Sequence, residues 1–182
     1  MIRVPVRAAS ALDLVAVEAI YTDEVCRHTA SFEIEPPDLA EIKQRWVDVC
    51  DRGLPYLVAH LEGCVAGYAY AVPYRARPAY CYTVEDSVYV APWARQRGVG
   101  LALLRALLSG CEMWGARQMV AIIGDPATNN ASIRLHEKAE FRSVGTLVGV
   151  GRKFDSWLDS LILQRPLGHG ISTNPGDLRV PV

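Results

Sequence analysis

Residues 83–101 read Thr-Val-Glu-Asp-Ser-Val-Tyr-Val-Ala-Pro-Trp-Ala-Arg-Gln-Arg-Gly-Val-Gly-Leu. The stretch is a strand that stops at a proline, turns through glycines and opens a helix. From Tyr80 to Val90 the chain is rich in β-branched and aromatic residues, which suit a half-buried strand. Alternation places Val84, Val88 and Val90 on one face with Tyr80 and Tyr82. Cys81, Thr83, Glu85, Ser87 and Tyr89 take the other face, so Glu85 is a carboxylate planted mid-strand, where glutamate is disfavoured. Asp86 points to the opposite face from Glu85 and is the weaker candidate for chemistry. Pro92 cannot donate to a ladder and closes the strand. Gly98 and Gly100 leave backbone N–H groups unshielded across Arg95–Leu101. Free amides at the positive end of a helix dipole form a ready phosphate site. No Gly-Lys-Ser/Thr follows, so the turn is not a nucleotide P-loop. An ordinary strand–helix loop with glycines for shape is the competing reading.

The rest of the chain arranges itself around that unit. Residues 2–7 alternate as a first strand. Ser10 and Asp13 open a helix running to about Cys26. Residues 27–37 form a loop closed by Pro36-Pro37. Asp38 caps a second helix to about Asp51, with Leu39, Ile42, Trp46 and Val49 inward and Gly53 ending it. Pro55–Leu61 and Cys64–Val72 make a hairpin through Glu62-Gly63. Leu101 to Trp114 follows helical spacing, with Leu103, Leu104, Leu107, Leu108 and Cys111 inward and Gly115 as the stop. Gln118–Ile123 is a short apolar strand at the centre of the sheet. Asn129 to Ala139 is a short helix, and Phe141–Gly149 and Leu158–Gln164 are the last strands. This order predicts one α/β (α+β) domain over residues 1–167, with about seven strands in a mixed, mainly antiparallel sheet and helices on both faces. Residues 168–182 hold Gly168, Gly170, Pro175, Gly176 and Pro181 and lack periodicity. They are expected to be mobile or laid over a neighbour.

Composition narrows the function classes. The formal net charge is −1, which makes no case for nucleic acid or an anionic membrane as partner. No run approaches the roughly 18–20 apolar residues of a membrane span. The N-terminus alternates instead of forming an apolar signal core. The five cysteines are odd in number and lack metal-type spacing. Small buried thiols in a reducing cytoplasm, and no metal, are the expectation.

Arg95-x-x-Gly98-x-Gly100 resembles the signature with which GCN5-related N-acetyltransferases (GNAT) cradle the pyrophosphate of acetyl-CoA. Thr83-Val84-Glu85, Val88-Tyr89-Val90 and Arg134-Leu135-His136-Glu137 resemble the phosphinothricin and methionine sulfoximine acetyltransferase subfamily. So do Ala69-Tyr70-Ala71-x-Pro73-x-Arg75-x-Arg77-x-Ala79-Tyr80 and Trp157-x-Asp159. The resemblance covers roughly residues 2–166.

It implies a GNAT fold and roles for named residues. Arg95, Gln96, Arg97, Gly98, Val99, Gly100 and Leu101 would hold the pyrophosphate. Val88, Tyr89 and Val90 would pair with pantothenate as a partial extra strand, the Val90 N–H facing the thioester carbonyl. Asn129 and Ser132 would contact the pantetheine arm. Glu85 would be the general base, acting through water. His136, which follows Asn129 and Ser132 at successive spacings of three and four residues on one helix face, stands where the wider family has a tyrosine. It would act as the acid, position the substrate or Glu85, or simply pack. Phe32, within Thr29–Glu33, would belong to an acceptor lid. Arg75, Arg77, Tyr80 and Tyr82 would bind the acceptor's carboxylate and acidic head group, or else form a solvated rim.

Two residues depart from the pattern. Glu140 replaces a glycine before Phe141, and Arg152 replaces an aromatic in a loop expected to line the acceptor site. The implied activity is direct acetyl transfer from acetyl-CoA, without metal, to the α-amino group of a small amino-acid-like acceptor, by a homodimer. The alternatives are a GNAT enzyme for another amine or a protein N-terminus, and a non-catalytic acyl-CoA-binding module.

Overall fold

The computed structural model describes residues 4–175. Seven strands form one sheet in the order β1-β2-β3-β4-β5-β7-β6. They are β1 (Val6–Ala8), β2 (Tyr56–Leu61), β3 (Cys64–Pro73), β4 (Thr83–Val90), β5 (Gln118–Gly124), β6 (Arg142–Lys153) and β7 (Ser156–Pro166). Only β4 and β5 pair in parallel; the other neighbours are antiparallel. Four α-helices complete the fold: α1 (Leu14–Arg27), α2 (Leu39–Asp51), α3 (Val99–Trp114) and α4 (Asn130–Lys138).

Local chemistry accounts for most boundaries. Glu62 (φ 54°) and Gly63 (φ 81°) are both left-handed, which makes the β2–β3 turn the kind that matches strand twist. Asp38 caps α2 by accepting the Glu41 amide at 2.8 Å. Gly115, at φ 106°, ends α3. The expected inward face of α3 is buried, from Val99 through Leu103, Leu104, Leu107 and Leu108 to Cys111.

The helices flank the sheet on both sides, and β4 shows which side is which. Tyr89 packs edge-on against Tyr21 of α1, with ring centroids 5.1 Å apart. Asp86, of opposite parity, bonds His136 of α4. Odd residues of β4 therefore face α1, and even residues face α4.

Several expectations need correction. The strand predicted from Tyr80 begins at Thr83, because Pro78–Tyr80 is a 3₁₀ turn. Tyr80 and Tyr82 therefore do not extend the Val84 face. The first strand is Val6–Ala8; Met1–Arg3 lie outside the described residues. Leu39 is 40% exposed, since it sits at the first turn of α2 beyond the reach of the core. Of the five cysteines only Cys111 is buried; Cys26, Cys50 and Cys64 are exposed and all five are free. The last two strands are longer than predicted. At the C-terminal end, Arg117 bonds the Thr173 hydroxyl at 2.9 Å and the Asn174 carbonyl at 3.3 Å. Residues 168–175 are thereby laid against the end of the sheet, and 176–182 lie outside the described residues.

Candidate functional site

The site begins where the sheet stops being a sheet. β4 pairs with β5 only at Thr83–Gln118, Val84–Met119 and Glu85–Val120. On its other side β4 stays paired with β3 as far as Val90. The Ala91 amide donates to Ala66, and the Tyr74 amide to Thr83. Antiparallel alternation then turns the odd residues of β4 toward β3 and directs the amides of Asp86, Val88 and Val90 toward the gap. From Asp86 to Val90, β4 is thus splayed from β5 and keeps free amides on that side.

A cleft follows the gap. It is lined by Ala30, Asp86, Ser87, Val88, Tyr89, Ala121, Ile122, Ile123, Gly124, Ser132 and His136. The structure brings Val88, Tyr89, Ser132 and His136 together there, from β4 and α4. A larger recess of about 450 Å³ lies elsewhere, between α3, the end of α4 and β7. Its rim mixes Arg105, Lys138 and Arg165 with Glu112 and Glu140, and none of the predicted site residues lines it.

At the open end of the gap, Gly98 caps α3 in the left-handed region (φ 83°) and contributes no side chain. The first helical bond runs from the Ala102 amide to the Gly98 carbonyl, so the amides of Val99, Gly100 and Leu101 have no intrahelical acceptor. Gln96 is left-handed as well (φ 62°). This is an anion cradle in form. Gly100 has a second duty, because a Cβ there would stand 3.2 Å from the Leu135 side chain on α4. The neighbouring arginines are held aside: Arg95 lies 3.8 Å from Glu24, and Arg97 bonds Glu62.

Glu85 lies at the closed end of the gap, on the α1 face. Burial, and then the charge of Asp86, pushes its carboxyl up to about 7. That leaves it half-ionised near neutrality.

His136 is buried on the α4 face. Its Nε2 is 3.0 Å from Asp86 Oδ2 and its Nδ1 is 2.8 Å from the Ser132 carbonyl. Burial opposes the ring's charge, but the hydrogen bond and charge of Asp86, with the Ser132 carbonyl, outweigh it and raise its pKa. Sequence reasoning passed over Asp86 because its parity set it apart from Glu85.

The lid is fastened down at three points. Thr29 donates to Asp125 at 2.7 Å. The buried Lys153 ammonium donates to the Ser31 carbonyl at 2.8 Å. Phe32 fills a slot between Gly124 and Gly151: a Cβ on Gly124 would come within 2.7 Å of the Phe32 ring, and one on Gly151 would overlap it. Asn129 spends its amide on the Gly124 carbonyl at 2.7 Å and so shapes the loop under the lid. Lys153, Gly124 and Gly151 carried no local signal, since their role depends on strand register.

The proposed acceptor anchors are the most dispersed group. Arg75 and Arg77 are exposed on the loop before β4, at its Glu85 end. Arg75 stacks over Tyr74 and Tyr80 at 5.0 and 5.8 Å. Tyr82 serves through its carbonyl, which accepts the amides of Arg117 and Gln118. Arg152 turns away to Asp155 at 2.9 Å. Glu140 adopts the left-handed conformation of the glycine it replaces (φ 67°). Among the described residues no cluster of three or more His, Cys, Asp or Glu could hold a metal ion.

Residues 17–141 match the Acetyltransferase (GNAT) family. A phosphinothricin N-acetyltransferase of Alcaligenes faecalis is 49% identical over 163 residues, covering 90% of this chain and 82% of its own length. An L-methionine sulfoximine/L-methionine sulfone acetyltransferase of Pseudomonas aeruginosa is 40% identical over 161 residues, covering 87% and 92%. The fold superposes on the crystal structure of a GNAT-superfamily phosphinothricin acetyltransferase from Sinorhizobium meliloti in complex with AcCoA. The TM-score is 0.92 at 42% identity, over 96% of this chain and 94% of the other.

Proposed function

The chain belongs to the GNAT acetyltransferase family, and from that premise we propose that it acetylates the α-amino group of a small, amino-acid-like acceptor, using acetyl-CoA. Phosphinothricin, methionine sulfoximine and methionine sulfone are the nearest candidates, being the compounds its relatives are named for. The observation that carries this reading is the gap between β4 and β5, with an uncapped helix N-terminus at its open end and the half-ionised Glu85 at its closed end. Acetyl-CoA supplies the acetyl group as a thioester. The amides of Val99, Gly100 and Leu101 receive its pyrophosphate, and those of Val88 and Val90 its pantetheine arm. Glu85 takes the proton that the attacking amine sheds, directly or through a water. Arg75 and Arg77 meet the acceptor's acidic groups from the loop beside Glu85. A lid fastened by Thr29, Lys153 and Phe32 suits a small acceptor better than an extended peptide.

The working unit in this proposal is a homodimer built on β6. The first seven residues of that edge strand are exposed on both faces, among them Val144, Leu147 and Val148. Free thiols, three of them exposed, suit the reducing cytoplasm.

The test is release of free thiol from acetyl-CoA across a panel of amino acids and analogues. Turnover is expected with the sulfoximine, sulfone or phosphinothricin type. Glu85→Gln should lower kcat by roughly 10²–10⁴-fold with acetyl-CoA affinity unchanged. Full kcat in a well-folded Glu85→Gln protein would remove Glu85 from the base role. Turnover only with peptide N-termini would move the acceptor to another class.

A further inference from the structure

Asp86 is buried on the α4 face of β4, its side chain 1% exposed. Across the cleft wall it meets His136, whose side chain is 4% exposed, at 3.0 Å. The second ring nitrogen of His136 is 2.8 Å from the Ser132 carbonyl oxygen. Carboxylate and carbonyl are both acceptors, and a neutral imidazole has a single N–H to offer them. The arrangement is satisfied when the ring carries both protons. The Ser132 hydroxyl stands 3.5 Å from Nδ1, too far to replace the carbonyl at 2.8 Å as its partner, and among the described residues no other group around the pair offers the ring a proton. Cys111, facing Asp86 from α3, is kept a neutral thiol by burial. Phe141 presents its ring edge-on to His136 at 5.0 Å. Ala121 and Ile123 complete the wall from β5, and Glu85 lies on the far face of β4.

The second carboxylate oxygen of Asp86 is buried without a hydrogen-bond partner. An unpaired buried carboxylate oxygen destabilises the fold, and an apolar pair of similar volume would pack as well or better. Packing therefore does not account for the pair. Its place on the cleft wall does.

We propose that Asp86 is a positioning residue for acetyl transfer: it fixes His136 as a permanent imidazolium on the α4 wall of the gap, where the departing thiolate is met by a cation. This rests on the gap being the thioester site. In the step, the amine nitrogen bonds to the acetyl carbon and passes a proton to Glu85. The carbon–sulfur bond breaks, and the sulfur leaves with the electron pair. His136 keeps both its protons and balances the charge on sulfur, so the pair acts by electrostatics, without proton transfer.

The experiment has two arms on the full chain. In the first, the ring nitrogens of the four histidines are followed by NMR from pH 5 to 9 without substrate, His136 being assigned with His136→Gln. His136 should stay doubly protonated through neutral pH, and in Asp86→Asn it should titrate below the ordinary histidine value. In the second arm, kcat is measured above pH 8, where Glu85 is ionised in every variant. Asp86→Asn should lower kcat roughly 10–100-fold with little change in the KM for acetyl-CoA. The double variant Asp86→Asn/His136→Gln should be no slower than His136→Gln alone.

A neutral His136 at pH 7 in the unaltered protein would overturn the proposal, and needs no variant to fold. So would a titration unchanged by Asp86→Asn, or a double variant far slower than His136→Gln. An unaltered chain that acetylates no amine would instead overturn the acetyl-transfer reading, and the positioning role with it.

Discussion

Glu85 carries a conflict that can be measured. Its carboxyl titrates near 7 because burial, and then Asp86, disfavours its charge. A base works only when ionised, so if Glu85 is the base as proposed, kcat should climb with pH through about 7 rather than between 4 and 5. A pH–rate profile checks this, and an ascending limb already flat at pH 6 would contradict it. The same shift acts on stability with the opposite sign. Between the ordinary glutamate value and about 7 the folded chain holds a proton that the unfolded chain has lost, so Glu85 weakens the fold as pH rises through that window. Glu85→Gln should therefore raise Tm at pH 8 while it lowers turnover. Glu85 was legible in the sequence because a carboxylate mid-strand is out of place. Asp86 was not, because its partner His136 lies 50 residues away and meets it only through the packing of α4 on β4.

The strand–turn–helix of 83–101 was also legible, since proline, glycine and periodicity are local signals. The long β6 and β7 were not. The predicted strand ends at Gly149 and gives way to a loop through Gly151, yet β6 runs on to Lys153, its register shifting around these glycines. Gly151 shows what one of them is for. Its missing side chain is the room that Phe32 occupies, and Lys153 two residues on holds the Ser31 carbonyl. Gly151→Ala should unseat Phe32 and loosen the lid. The KM for the acceptor is expected to rise roughly tenfold or more, with the KM for acetyl-CoA unmoved. If both constants rise together, or neither does, the lid is not an acceptor device. At the far end of α4, Glu140 accepts about 1–2 kcal/mol of left-handed strain, partly offset by Arg165 at 3.1 Å.

At the scale of the whole molecule, the element order and the two-faced layering followed from sequence pattern, whereas the exposed edge did not, because exposure is a property of coordinates. If β6 is the dimer edge, sedimentation should show a dimer, and Val148→Glu, in the middle of the bare apolar strand, should shift it to monomer. A monomeric unaltered chain, or a Val148→Glu dimer of undiminished affinity, would remove β6 from that role. The gap has a consequence of its own. Within the sheet, β1-β2-β3-β4 is joined to β5-β7-β6 by three registered pairs between β4 and β5, beside the Tyr82 carbonyl that takes the Arg117 and Gln118 amides. The seam closes one end of the gap, so a coenzyme held in the open end, as proposed, would bridge two half-sheets as well as feed a reaction. Mass action then ties the lifetime of the fold to supply: a ligand at a hundred times its Kd adds about 2.7 kcal/mol. The amides of Val88 and Val90 should exchange with solvent when acetyl-CoA is scarce and fall silent when it is plentiful. By the same logic, a cell short of its acetyl donor would lose this protein to its proteases sooner, and keep it longer when the donor is abundant.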